Sequence, residues 1–288
     1  MIREKLASQT ALTAAAARAA HLIVDRDPVI FVDTLAGRLL GAQAGEFIGY
    51  HRAHGTHLVL ASARGQAVCR SRYTEDSLAT AIRGGITQYV ILGAGLDSFG
   101  YRSPLAGQVR VFEVDHPATS ELKRERLAAA GLAVPPTVTL VPFNFASGAL
   151  TRTLAGSGLD LARPAFVSLL GVTMYLTASE IGQTLAEVGR LAPGTELVAD
   201  YMLPAGLRDA TGDAYAEQVM PVAAQRGEPW LTFLSPDEMS ALLTGHGFGL
   251  VRQVAQRDVG DAATWVRTDS LRPVELSLIA HATVVRGS

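Results

Sequence analysis

From Gln88 onward the chain alternates short apolar runs with longer amphipathic segments, and this rhythm constrains the fold more than any other feature. Runs of four to eight apolar residues suit strands buried on both faces, and the longer segments between them suit covering helices, so the pattern implies an α/β protein with a mainly parallel sheet. Strands are expected at Tyr89–Leu92, Val109–Val114, Val138–Val141, Ala165–Leu170, Glu196–Tyr201, Leu250–Ala255 and Leu276–Val285. Helices are expected between them at Ala118–Ala130, Leu150–Ala155, Ser179–Leu191, Leu207–Ala224 and Pro236–Thr244. Ser235 before Pro236 supplies an N-cap and a first-turn proline for the last of these. The first 85 residues read differently, as helices at Leu12–Val24, Thr34–Gly41 and Thr74–Arg83. We therefore expect a helical N-terminal lid over residues 1–85 and a core over 86–288, with a lid insertion near 204–235.

The first strand runs into Gly93-Ala94-Gly95-Leu96-Asp97. Glycines two apart after a strand permit positive φ and let a ligand approach the backbone. Acidic residues follow at the end of the next strand, with Glu113 and Asp115 each 20 residues beyond one of the glycines. That spacing brings a carboxylate to ribose hydroxyls in a Rossmann-like nucleotide site. A dinucleotide fingerprint wants a third glycine at position 98, where this chain has Ser98. S-adenosylmethionine has no pyrophosphate and does not need that glycine, so the loop favours it over a nicotinamide dinucleotide. An NAD-linked oxidoreductase is the rival reading from the loop alone.

Composition narrows the class. The chain is 48% hydrophobic and 18% charged, enough to build a sizeable core. A net charge of −2 gives no basic footprint for nucleic acid or an acidic membrane, which leaves a small-molecule substrate as the expected partner. The alanine-rich run Thr10–Ala20 is interrupted by Arg18 and lacks the form of a secretory signal, and no stretch of about 18 apolar residues occurs. A cytoplasmic location is expected. With a single cysteine, Cys69, no cysteine-based zinc cluster can form. His51, His54 and His57 share a spacing of three that suits one helical face, but a metal would usually need a carboxylate or cysteine partner as well, so no metal site is expected.

Four ordered segments carry a family resemblance. Val90-Ile91-Leu92-Gly93-Ala94-Gly95-Leu96-Asp97-Ser98-Phe99-Gly100-Tyr101-Arg102 resembles the signature LGAGLDTRAYR of the leucine carboxyl methyltransferase-like family. Phe112-Glu113-Val114-Asp115-His116-Pro117-Ala118-Thr119 resembles its YEVDHPAT segment, with Lys123 at its usual lysine. Arg70-Ser71-Arg72-Tyr73-Thr74-Glu75-Asp76 is similar to its RTRYFDD motif, and Gly171-Val172-Thr173-Met174-Tyr175-Leu176 is similar to its EGVTMYL segment.

The resemblance implies a seven-stranded class I methyltransferase sheet and an S-adenosylmethionine-dependent O-methyltransferase, often acting on a carboxylate, with natural-product enzymes among its members. It implies that Arg70 grips the methionine carboxylate, that Gly93, Ala94, Gly95 and Asp97 adjoin the cofactor, and that Asp115 binds its ribose. Asn144 and Phe145 stand where the family has Asp-Leu against the adenine; asparagine still accepts from the amino group, and a phenyl ring can pack on the base. Leu170 replaces a family glutamate beside the cofactor and cannot hold an ammonium group. The arginine of LDTR is replaced by Phe99 or Gly100. Tyr175 and Tyr201, each after a strand at the ligand-bearing edge, are the candidates for orienting the acceptor, and Asp200 is similarly placed. Trp230 and Phe233 would furnish an acceptor wall or ordinary core. A fold that binds S-adenosylmethionine for a regulatory or non-methylating purpose is the remaining alternative.

Overall fold

In the computed structural model, the described residues are 9–145 and 149–285. Four helices come first: α1 (Gln9–Val24), α2 (Ala36–Leu39), α3 (Ala44–His54) and α4 (Leu58–Arg83). The alternating part follows as β1 (Gln88–Leu92), α5 (Phe99–Arg102), β2 (Arg110–Asp115), α6 (Pro117–Ala129), β3 (Val138–Pro142), α7 (Leu150–Gly156) and β4 (Phe166–Leu169). It continues with α8 (Ala178–Val188), β5 (Glu196–Met202), α9 (Ala210–Gln225), α10 (Pro236–Gly245), β6 (Phe248–Val254) and β7 (Ser277–Val284).

The seven strands form one sheet in the order β3-β2-β1-β4-β5-β7-β6. The first five are parallel, and β7 runs antiparallel to both β5 and β6. The order reverses between β1 and β4. In open α/β sheets a crevice for ligands opens at such a point, beyond the carboxyl ends of the strands.

Strand alternation divides the core into two layers. Val90, Leu92, Val167, Leu169, Leu197 and Ala199 face one side, where Ile181, Leu185 and Val188 of α8 and Met239 and Leu243 of α10 cover them. Tyr89, Ile91, Phe166, Val198 and Ile279 face the other, under Val68, Cys69, Leu78 and Ala81 of α4. Both α8 and α10 start with capping boxes, Thr177 with Glu180 and Ser235 with Glu238, so these helix ends are set by their own residues.

All seven expected strands are present. The N-terminal helices depart further from expectation. α4 starts at Leu58 rather than Thr74, and α3 was not anticipated. The reason lies in burial: Arg64, Gln66 and Thr74 are buried polar residues on α4, which breaks the apolar period by which a helix is recognised. α4 is one of the layers covering the sheet. α1 lies outside it and packs its alanines, Ala15, Ala16 and Ala19, against Ala36, Leu40 and Leu96. Small side chains let helices approach closely.

A buried polar cluster ties these helices together. Arg64 donates two hydrogen bonds to Asp25, each 2.8 Å, and one to the Gly55 carbonyl, while His21 contacts Asp25 at 3.0 Å. His51 lies 3.3 Å from Arg64, and burial with that guanidinium pushes its imidazole down to about 4. Between pH 6.5 and 4 the unfolded chain therefore binds a proton that the fold refuses, so stability falls as pH is lowered through this window. His51→Gln should flatten the dependence of the thermal midpoint on pH between those limits. Equal slopes in the two proteins would exclude His51 as the source.

Candidate cofactor and acceptor site

The crevice at the β1/β4 switch point is built first from backbone. The amides of Gly93 and Ala94 both donate to the Val114 carbonyl, at 2.8 and 3.1 Å, which pulls the loop against the end of β2. Gly93 has φ +70° and Gly95 φ +48°, the left-handed region that glycine adopts without strain. Space also demands glycine. A Cβ on Gly93 would stand 2.3 Å from Val172 Cγ2, and one on Gly95 would stand 3.1 Å from the Ala11 methyl. The first turn of α1 therefore roofs the loop.

Asp115 meets the loop from below. Its Oδ2 accepts from Gly95 N at 2.5 Å and its Oδ1 from His116 N at 2.7 Å. Burial pushes this carboxyl upward from its ordinary range, and the two amides oppose the shift. Each oxygen keeps lone-pair capacity for a further donor.

The opposite wall comes from α4 and the turn after β4. Arg70 donates from NH1 to Asp200 Oδ2 at 3.0 Å, and Asp200 Oδ1 accepts from Gly171 N at 2.5 Å. The guanidinium lies so close to Gly171 (φ +69°) that a Cβ there would be 2.8 to 3.0 Å from three of its atoms. Thr173 Oγ1 donates to the Asp200 carbonyl at 2.7 Å, fixing the turn that carries Tyr175. Burial pushes the Tyr175 hydroxyl up to about 12, a shift that the neighbouring Trp230 opposes. Met174, Met202, Tyr215, Trp230 and Phe233 form an apolar cluster around it. The Leu231 amide donates to the Met174 carbonyl at 2.7 Å, and Thr232 Oγ1 to the Leu176 carbonyl at 2.6 Å. The 230–234 segment is thus fastened to the turn carrying Tyr175.

Not every expected site residue reaches this crevice. Tyr201 does not: Asp200 and Tyr201 point to opposite faces of β5, and the Tyr201 hydroxyl donates to Gln253 Oε1 at 2.8 Å beneath α10. Glu113 is buried and paired with Lys123 at 2.6 Å, with Tyr101 Oη donating to it at 3.2 Å, so it supports β2 and α6 instead of a ligand. The Asp97 carboxylate turns to accept from Phe99 N at 2.7 Å and starts α5. Leu170 packs among the apolar residues under α4. Phe145 makes an edge contact with Phe143, ring centroids 5.4 Å apart, and neighbouring Asn144 is exposed. The residues that sequence reasoning missed fasten the loop from outside. Arg18 donates to the Leu96 carbonyl and to Asp33, both at 2.8 Å, and Arg102 bridges Asp33 and Glu75. Only the isolated charges Arg18 and Asp33 could have signalled this, and nothing in their spacing pairs them.

The sequence pattern of the family described as leucine carboxyl methyltransferase matches residues 11–189, from the roofing turn of α1 to the end of α8. The chain belongs to that family. It is an S-adenosylmethionine-dependent methyltransferase, and the NAD-linked alternative falls. YktD of Bacillus subtilis (strain 168), which carries the name of such an enzyme, is 34% identical over 75% of this chain and 71% of its own length. Rv3787c of Mycobacterium tuberculosis (strain ATCC 25618 / H37Rv), similarly named, is 32% identical over 64% of this chain and 61% of its own. A Thermobifida fusca YX crystal structure, of a protein assigned as a methyltransferase, superposes with a TM-score of 0.60 at 16% identity, covering 93% of this chain and 98% of that one. Among the described residues of this methyltransferase, no helix is long and apolar enough to cross a membrane. No group of three or more His, Cys, Asp or Glu side chains among them is placed to hold a metal ion.

Within the methyltransferase, the Glu113–Lys123 pair makes a stability prediction. Lys123→Met leaves a carboxyl buried without its cation and should destabilise the fold by about 3–5 kcal/mol in urea unfolding. Adding Glu113→Gln should recover much of that loss. A double variant no better than the single would show that the two side chains do not act as a pair.

Proposed function

We propose that this enzyme transfers the methyl group to a carboxylate oxygen of a small-molecule acid, of the kind made in secondary metabolism. The observation that carries the proposal is the setting of Tyr175 in an apolar cluster with Met174, Trp230 and Phe233. A tyrosine hydroxyl is protonated at neutral pH, and burial raises this one further, so it can donate a hydrogen bond to an acceptor but does not serve as its base. A phenol acceptor, ordinarily titrating near 10, benefits from a base, whereas a carboxylic acid arrives already ionised. Tyr175 is therefore suited to orient an ionised acceptor and the aromatic cluster of Trp230 and Phe233 to wall it from water.

The residues around the crevice fit the cofactor's chemistry. Arg70 keeps donors for a carboxylate, and a guanidinium matches that group in a bidentate fork. The Asp115 oxygens can accept from ribose hydroxyls, and the glycines at 93 and 95 let the loop take its left-handed turn tightly beneath Val172 and Ala11. When bound, S-adenosylmethionine supplies an electrophilic methyl on a sulfonium. In this reading Asn144 and Phe145 stand by the adenine, and Leu170 leaves the amino group to backbone carbonyls. The first turn of α1, together with residues 204–235, forms the lid, and the catalysis takes place in the cytoplasm.

Incubating the protein with S-adenosylmethionine and matched panels of carboxylic acids and phenols tests the proposal. Methyl esters and S-adenosylhomocysteine should form from the acids, at a rate nearly flat from about pH 6 to 9, where a carboxylate stays ionised. Turnover confined to phenols, rising with pH, would overturn it. Asp115→Ala should weaken cofactor binding about tenfold or more by calorimetry, through loss of hydrogen bonds to a charged group. Unchanged affinity would remove Asp115 from the ribose site.

A further inference from the structure

Asp200 stands one residue beyond Ala199, which pairs with Leu169 in the β4–β5 register, so its carboxylate sits just past the end of β4 while β5 continues beside β7. Its side chain is only 3% exposed. A carboxylate taken so far out of water needs its charge and its lone pairs met. Two groups meet them: Arg70 NH1 at one oxygen and the Gly171 amide at the other.

Behind the pair is a cavity of about 10 Å³, the size of one water, lined by Gln66, Cys69, Val254, Gln256, Ser277 and Ile279 together with Arg70 and Asp200. Among these lining residues Arg70 is the only cation and Asp200 the only anion. No second acid in that lining can take over if Asp200 is lost.

The consequence concerns Arg70. An arginine side chain has several rotatable bonds, and fixing it in one rotamer carries an entropic cost. Here one edge of the guanidinium is held by Asp200 and its flat face rests on Gly171, while 16% of the side chain remains exposed. The Gly171 contact is itself maintained by Asp200, because the same carboxylate holds the Gly171 amide and the Asp200 carbonyl holds Thr173.

We infer that Asp200 is the positioning residue for the methionine end of the cofactor site: it aims Arg70 and fixes the glycine turn against which that arginine lies. The inference rests on the reading of Arg70 given above. Asp200 touches no cofactor atom in this scheme; it acts through Arg70.

The test compares two ligands by calorimetry: S-adenosylhomocysteine, which has the amino-acid moiety, and 5′-methylthioadenosine, which keeps the nucleoside and lacks that moiety. Asp200→Asn should weaken S-adenosylhomocysteine binding about tenfold, as expected for loss of a charged hydrogen bond, and leave methylthioadenosine within about twofold. In an Arg70→Ala background the same substitution should have almost no effect on either ligand, since its action passes through the arginine. A purely structural role would weaken both ligands together, and that outcome, or no change in either, overturns the inference. If Arg70→Ala itself fails to discriminate the two ligands, the reading of Arg70 is what falls, and the inference with it. Thermal midpoints check that each variant folds. Should Asp200→Asn not fold, Gly171→Ala displaces the guanidinium without removing a charge and should give the same selective loss; equal loss of both ligands there would overturn the inference.

Discussion

The carboxylate of Asp200 joins three distant parts of the chain at the open end of the sheet: α4 through Arg70, the turn after β4 through Gly171, and β5 on which it stands. The aim of Arg70 and the seat of the Gly171 turn rest on this junction. Without it α4 would still cover the sheet, because Val68, Cys69, Leu78 and Ala81 bury their apolar surface there. What would be lost is direction. Apolar burial holds a helix against a sheet but does not choose where a guanidinium points, whereas a hydrogen bond between charged groups does.

The glycine loop is fixed by the same logic from the other side. Its inner surface is held by Val114 and Asp115, and its outer surface by Arg18, which also pairs with Asp33. Arg102 continues the chain of charges from Asp33 to Glu75 on α4. α1, the glycine loop and α4 are therefore linked by one buried polar network. Buried networks of this kind give little net stability relative to apolar packing, yet they specify a single arrangement when their members are satisfied. That suits a helix whose first turn lies over the glycine loop, since Arg18 pins α1 to the Leu96 carbonyl and to Asp33.

The sheet was legible in the sequence because its strands are buried on both faces and read as continuous apolar runs; Tyr89–Leu92 and Ala165–Leu170 are examples. The loop at Gly93–Gly95 was legible because its backbone conformation demands glycine. α4 was half hidden because Arg64 and Gln66 are buried polar side chains, Arg64 against Asp25, which no hydrophobic period reports. Tyr201 misled for a different reason. Its position at the end of β5 is right for a site residue, but a strand places neighbouring side chains on opposite faces, and the face belongs to Asp200. Glu113 and Asp115 share a face and a spacing, and what separates them is depth: Glu113 lies two residues further into the sheet, where Lys123 meets it first.

The apolar character of the acceptor wall bears on the reaction proposed. A sulfonium and a carboxylate react to neutral products, so charge disperses along the path, and water stabilises the separated reactants more than what they become. Met174, Met202 and Phe233 present little that can solvate an ion, and the polar groups among them are few: the hydroxyls of Tyr175 and Tyr215 and the Trp230 indole N–H. Such a wall favours the state in which charge is being cancelled, provided that something holds the acceptor in line. Arg70 also lies on this side, but Asp200 has already balanced its charge. An arginine neutralised in this way can fork onto a carboxylate of the cofactor without drawing the acceptor's own carboxylate out of line. On the proposed reading, the pairing of Arg70 with Asp200 would serve both halves of the site: it would orient a donor at one end and keep an unbalanced positive charge away from the other.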